Sequence, residues 1–316
     1  MIITRTPLRV SFVGGGTDIP CYYERNGGAV LSCAINRYIY VTANWRDDDQ
    51  IVCSYSHIEK ADKANWHTIQ HALINACIRR VWLGEAPKKG IEIHLIGELS
   101  TIGTGLGGSS AVTVGLLNAL YHLKGAPIAR QEDLADAACI VEMNILRKPI
   151  GKQDQYACAL GGMNVIKFNS DHSVEFDRLK PRIPVVMSLI PAISTKAPRD
   201  CELLLSNQNS LIEKNMPVLD RMHAQVFLLE QAGKIGAHKK FIRLINEGWA
   251  LKKKLSPDIT TPDVDREIDH ITSLGGGAKL CGAGMSGYVL AVFPAPVDLS
   301  SAFPVTIDYE GTKRIV

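Results

Sequence analysis

Residues 103–123 read GTGLGGSSAVTVGLLNALYHL, a glycine-rich turn that runs straight into an apolar helix. Four glycines in six residues (Gly103, Gly105, Gly107, Gly108) leave no side chain between backbone and ligand and permit positive φ without strain. Ser109 and Ser110 stand where the helix starts, and Val112, Leu116, Leu117 and Leu120 recur at helical spacing until Gly125 stops the pattern. A loop of bare N–H donors at a helix N-terminus suits phosphate, because the orphan donors and the positive dipole end both favour an anion. A tight strand-to-helix turn is the plainer meaning of one glycine pair; four glycines followed by two hydroxyls are harder to read that way. This is not a Walker loop, since Ser109 holds the lysine position when counting from Gly103. Positive charge on the phosphates must come from the helix dipole, a metal or a basic residue elsewhere.

Upstream, Ile2 to Thr6 and Leu8 to Val13 read as strand, with Pro7 as an edge or bulge feature, leading into Gly14-Gly15-Gly16-Thr17-Asp18. Taken alone, Asp18 reads as a turn or cap residue and Arg9 as a solvated edge-strand charge. Strands are expected over Ala29–Ala34, Tyr38–Asn44, Ile51–Tyr55 and Ile91–Ile96, and a helix over Trp66–Leu83. The acids Asp47, Asp48 and Asp49 read as a solvated hairpin tip, and His57, His67 and His71 lack metal-ligand spacing.

Downstream, Leu134 to Leu146 is helical by pattern and contains Glu142; twelve residues later Asp154 lies in GKQDQY, 151–156. Phosphoryl transfer to an alcohol needs Mg²⁺ to neutralise phosphates and a group that positions or deprotonates the hydroxyl. A hydroxyl plus one carboxylate can hold Mg²⁺, and a second carboxylate can take the proton. Glu142 and Asp154 fit these roles. The alternatives are a helix-surface glutamate and an aspartate capping a helix over Gln155–Ala159.

The C-terminal half begins with strands over Asn164–Phe168 and Pro184–Ile190, and Pro181 and Pro184 mark a boundary near 170–182. Two domains are expected, 1–175 and 176–316, in keeping with a chain of 316 residues that is 46% hydrophobic. Helices are expected over Leu203–Ala232, His238–Leu255 and Val264–Leu274, and a strand over Val289–Phe293 after KLCGAGMSGY, 279–288. Short strands over Val305–Asp308 and Lys313–Val316 close the chain. Interspersed charge with a net +3 gives no basic stripe for nucleic acid and no polybasic membrane patch. No apolar run approaches the ~20 residues of a membrane span, and MIITRTPLRVSF lacks the apolar core of a signal peptide. Eight cysteines without a CxxC pair read as reduced core residues, so a cytoplasmic location is expected.

Three stretches together, PLRVSFVGGGTD (7–18), GTGLGGSSA (103–111) and KLCGAGMSGY (279–288), resemble in order the three signatures of the GHMP small-molecule kinases. Thr101 stands for the usual proline, and GLGGSSA for GLGSSAA leaves the register of the two serines open by one position. Met285 and Ser286 replace two glycines of the third signature. The resemblance implies an α/β (α+β) fold with an N-terminal domain like ribosomal protein S5 domain 2, a C-terminal ferredoxin-like domain and the site between them. It implies ATP and Mg²⁺ as cofactors, with Gly103, Gly105, Leu106, Gly107, Gly108, Ser109 and Ser110 on the nucleotide.

GKQDQYACALGG (151–162) narrows the likeness to the branch that contains heptose 7-phosphate kinase and related anomeric sugar kinases. By that likeness Asp154 is the base, Arg9 lies beside the transferred phosphoryl group, and Ser109 or Ser110 with Glu142 holds Mg²⁺. Asp18 binds the sugar, with Gly15, Gly16, Thr17, Lys152, Gly282, Gly284 and Arg199 nearby. The expected partners are a small sugar phosphate and ATP, with no nucleic acid and no membrane; a homodimer is left open.

Overall fold

The computed structural model describes residues 1–99, 103–192 and 211–316, and is a mixture of helix and sheet as expected. In chain order the first part runs β1 (Ile2–Val13), α1 (Pro20–Asn26), β2 (Gly28–Trp45), β3 (Gln50–Ser54), β4 (Ile58–Asp62), α2 (Ala72–Val81), β5 (Ile91–Gly97) and α3 (Gly108–Lys124). It continues through α4 (Gln131–Cys139), α5 (Gln153–Leu160), β6 (Met163–Phe168), β7 (Val174–Leu179) and β8 (Val186–Ala192). After residue 210 come α6 (Ile212–Ile235), α7 (His238–Lys252), α8 (Pro262–Ser273), β9 (Gly277–Leu280), β10 (Gly287–Phe293), β11 (Phe303–Val305) and β12 (Lys313–Arg314).

The long strands β1 and β2 pair antiparallel and form the spine of the first sheet, ordered β12-β1-β2-β5-β3-β4. Along its other edge β2 is shared: Ile39–Trp45 pairs with β5 and Gly28–Cys33 with β6, which in turn carries β7. The β1–β2 register slips between Pro7 and Leu8, where the missing N–H interrupts the ladder, so the expected bulge is present within one continuous strand. Likewise the two strands expected over 29–44 are a single strand.

Helix α3 lies across β1 and β2, buried on nearly every face, which is how an all-round apolar helix is accommodated. Close approach is possible at Gly115, where a Cβ would come within 3.0 Å of Thr6 Oγ1 and 3.1 Å of Val41 Cγ2. The second sheet, β11-β8-β10-β9, is antiparallel and is covered by α7 and α8. Phe12 of β1 meets Phe241 of α7 edge-on, with centroids 6.1 Å apart and both rings buried, and so ties the two halves. The C-terminal segment then returns to the first sheet: Ile307 bridges Ile35 and β12 pairs with β1.

Several expected elements differ in detail. The helix expected over 66–83 splits into a 3₁₀ turn (Lys63–Thr68) and α2, with the His71 ring accepting from Ile74 N at the cap. The helix expected over 134–146 passes from α4 into a π-helical segment, Ile140–Ile145. Helix α1 and strands β4 and β7 were not expected. The first residues of the helix expected from Leu203 lie outside the described residues. Asp48 and Asp49 pair with Arg46 and Lys63 at the hairpin tip, and the described cysteines are all free.

Replacing Phe12 by Ala removes the ring that joins β1 to α7, and equilibrium denaturant unfolding is expected to show a loss of about 3–5 kcal/mol.

Candidate active site

The glycine turn owes its shape to left-handed backbone at Gly103 (φ +70°), Gly105 (φ +71°) and Gly107 (φ +75°). A Cβ at Gly105 would stand 2.4 Å from Cys281 O, and one at Gly282 would stand 2.4 Å from Gly105 Cα. The second and third glycine turns therefore touch backbone to backbone. A Cβ at Gly107 would come within 2.9 Å of Arg9 Cγ, so this glycine makes room for the arginine. Leu106 is fully buried and its carbonyl accepts from Arg9 N at 2.9 Å, anchoring the turn to β1.

Arg9 is 5% exposed although it sits on a strand, which sets aside the solvated reading. Its Nε and Nη2 donate to the two Asp154 oxygens at 2.7 Å each, and Nη1 donates to Gly105 O at 2.6 Å. A bidentate guanidinium–carboxylate fork of this kind fixes both groups. Asp154 lies in the first turn of α5, not at its cap, and its side chain is 26% exposed. Arg9 thus bridges the glycine turn and Asp154.

Glu142 is fully buried in the π-helical segment, a feature that tends to accompany functional sites. Its Oε1 accepts from Ser109 Oγ at 2.5 Å and Lys148 Nζ at 3.1 Å; its Oε2 accepts from Ser110 Oγ and Gln155 Nε2 at 2.7 Å each. Both serines therefore face the same carboxylate, and the helix-surface reading of Glu142 does not hold. The oxygens of Ser109 and Glu142 form a hard donor set of the kind that could hold Mg²⁺.

Asp18 is buried, accepting from Gly16 N at 3.0 Å, Gln153 Nε2 at 3.1 Å and Gln153 N at 3.3 Å. Burial pushes its carboxyl above the usual carboxylate range; the Gly16 N–H opposes this and the nearby Asp154 charge adds to it. A Cβ at Gly151 would collide with Asp18 Oδ2 at 2.0 Å, which explains the glycine that opens GKQDQY.

Other expected site residues are placed differently. Thr17 Oγ1 is spent inside the first turn, donating toward Gly14 O and Ala29 O. Lys152 does not join the group: its Nζ donates to His172 O at 2.7 Å and lies over the Tyr23 ring. Gly15 is open toward Gln153, with the nearest atom to a Cβ 3.6 Å away. Gly284 packs against Ile259, and Met285, where the resemblance has glycine, keeps a left-handed φ of +67° with its N donating to Ile259 O. Arg199 lies outside the described residues.

Residues that sequence reasoning missed complete the site. Gln153 and Gln155 flank Asp154 in the quoted hexapeptide, yet carried no role. Lys279, on β9, donates to Phe12 O at 3.3 Å, and Lys252 at the end of α7 donates to Gly282 O. Burial brings the Lys252 ammonium down to about 8. For Lys279, burial and then the Lys252 charge bring it down to about 7. With Arg9, which donates to Gly105 O, they bring three basic side chains close to the glycine turns. Lys252 is the first of three consecutive lysines, 252–254, and nothing in its spacing sets it apart.

Residues 71–162 match the family described as GHMP kinases N terminal domain. The D-glycero-alpha-D-manno-heptose 7-phosphate kinase of Campylobacter jejuni is 25% identical over 91% of this chain and 88% of its own length. The L-fucokinase/L-fucose-1-P guanylyltransferase of Bacteroides fragilis is also 25% identical over 92% of this chain, which spans 34% of that larger protein. Among solved structures, a D-glycero-D-manno-heptose 1-phosphate kinase from Bacteroides thetaiotaomicron superposes with a TM-score of 0.78 at 23% identity, covering 99% of this chain and 98% of that one. That likeness concerns the fold. Residues 71–162 thus match a GHMP kinase N-terminal domain, the chain is similar to GHMP kinases along most of its length, and these likenesses support an ATP-dependent phosphotransferase.

Because Gly105 and Gly282 meet backbone to backbone, Gly105→Ala is expected to lower kcat/KM at least about tenfold and to reduce thermal stability; steady-state kinetics and a melting curve check both.

Proposed function

We propose that this protein moves the γ-phosphoryl group of ATP to the anomeric hydroxyl of D-glycero-D-manno-heptose 7-phosphate, giving the 1,7-bisphosphate. The observation that carries the reading is the Arg9–Asp154 fork, which sets a carboxylate beside the phosphate-binding turn. The heptose 7-phosphate kinase of Campylobacter jejuni, related along most of its length, supports the choice of sugar. The product would serve as a precursor of nucleotide-activated heptose for surface polysaccharide.

The turn 103–110 binds the phosphates through backbone N–H groups and the N-terminus of α3. Ser109 and Glu142 would hold Mg²⁺, which when bound neutralises phosphate charge. Asp154 has lone pairs beyond those taken by Arg9, so it can accept a hydrogen bond from the sugar hydroxyl and take its proton. The hydroxyl oxygen then bonds to the γ-phosphorus as the bond to ADP breaks. Arg9, already fixed between turn and base, stabilises the charge that develops on the phosphoryl oxygens without reorganising. Asp18 and Gly16 would orient the sugar hydroxyls, and an anionic occupant would favour the protonated forms of the buried Lys252 and Lys279.

A second reading, phosphorylation of an unphosphorylated sugar such as L-fucose, is favoured by the similarity to the Bacteroides fragilis enzyme. ADP release with Mg·ATP against heptose 7-phosphate, heptose, L-fucose, mannose and galactose separates the two. Turnover with heptose 7-phosphate well above the others is expected; turnover with fucose or heptose alone would favour the second reading. Asp154→Asn is expected to lower kcat by about 10²–10⁴-fold while nucleotide binding persists, measured by calorimetry. Turnover like that of the unaltered protein would remove Asp154 as base.

A further inference from the structure

Lys148 has no place in the reaction described above, yet its ammonium reaches the two groups assigned to the metal. Its Nζ lies 2.7 Å from Ser109 Oγ and 3.1 Å from Glu142 Oε1, and those two oxygens are themselves 2.5 Å apart. The side chain is 16% exposed, so it borders the cleft while its partner Glu142 is sealed. Its backbone N donates to Glu142 O at 3.0 Å, which pins the start of the side chain beside the carboxylate that its ammonium reaches. The remaining Glu142 contacts, from Ser110 and Gln155, are neutral, so Lys148 is the one cation hydrogen-bonded to this buried carboxylate among the described residues.

We propose that Lys148 is the resident counter-cation of the metal pair and makes divalent-cation binding depend on nucleotide. On the reading that Ser109 and Glu142 hold Mg²⁺, the ammonium and the metal compete for the same two oxygens. A fully buried carboxylate needs a positive partner, and in the ligand-free protein the ammonium supplies it. A divalent cation that takes the same two oxygens must displace that ammonium, and two cations in contact repel. The cost falls when phosphates lie on the adjacent turn, because they offer the metal further oxygen ligands and give the displaced ammonium an anionic partner. Metal and nucleotide therefore bind as a coupled pair, each strengthening the other through the same side chain.

Mn²⁺ binding followed by electron paramagnetic resonance, with and without ADP, tests this on the full chain and on K148Q, K148M, K148R and E142Q. The proposal expects K148Q and K148M to bind Mn²⁺ alone at least about tenfold more tightly than the unaltered protein. The tightening that ADP adds should shrink by a similar factor, and K148R should behave like the unaltered protein. The neutral pair guards against one variant failing to fold, which circular dichroism would reveal. Mn²⁺ affinity unchanged or weakened in the folded neutral variant, with E142Q losing the metal, overturns the role of Lys148 and leaves the metal reading standing. Undiminished Mn²⁺ binding in E142Q overturns both.

Discussion

A carboxylate taken out of water without partners costs more than a domain of this size can carry, and Glu142 is fully buried. Its solution is to collect four donors from three places: Ser109 and Ser110 at the start of α3, Gln155 on α5, and Lys148 on the connection from the π-helical segment to α5. The π-helical segment lets α4 continue toward these groups in a changed register. Satisfying one acid thus brings the helix after the glycine turn against the helix that carries Asp154. The same geometry that the fold needs for stability leaves two oxygens suited to a metal beside the turn.

A second constraint brings the C-terminal half to this centre. Gly105 and Gly282 meet with no room for a side chain, so the two glycine turns close on each other. Lys252 and Lys279 reach backbone carbonyls of Gly282 and Phe12 from the second half of the chain, and Phe12 packs on Phe241. Around this seam Arg9 holds Asp154 and the turn at once. Three basic side chains therefore meet the backbone of the turns and of β1, while Asp18 and Asp154 stay within electrostatic reach of each other.

Much of this was legible from residues that leave no choice. Only glycine takes the left-handed positions of the 103–107 turn readily, and the apolar run after it had to be a buried helix, as α3 is. Arg9, Asp18, Glu142 and Asp154 stand out in the sequence because three acids and an arginine at those distances from glycine turns match a known set of signatures; in the structure Arg9 holds Asp154, Asp154 acts on Asp18, and Glu142 accepts from Ser109. Lys148 was not found, because a lysine in a connecting segment looks like any solvated lysine until the fold carries it to Glu142. Lys152 misled for the converse reason: it stands beside Asp154 in sequence, but its side chain leaves the other way, toward His172. Strand β4, IEKAD, is mostly polar and exposed, so its pattern carries little of the apolar alternation that marks β1 and β2.

The central claim is that Asp154 and Arg9 serve transfer to an anomeric oxygen. ³¹P and ¹H nuclear magnetic resonance of the product formed from ATP and heptose 7-phosphate addresses it most directly. The account predicts a second phosphate on the anomeric carbon, with phosphorus coupling on the anomeric proton and loss of the free reducing end. A product phosphorylated at another hydroxyl, with the reducing end still free, would contradict it.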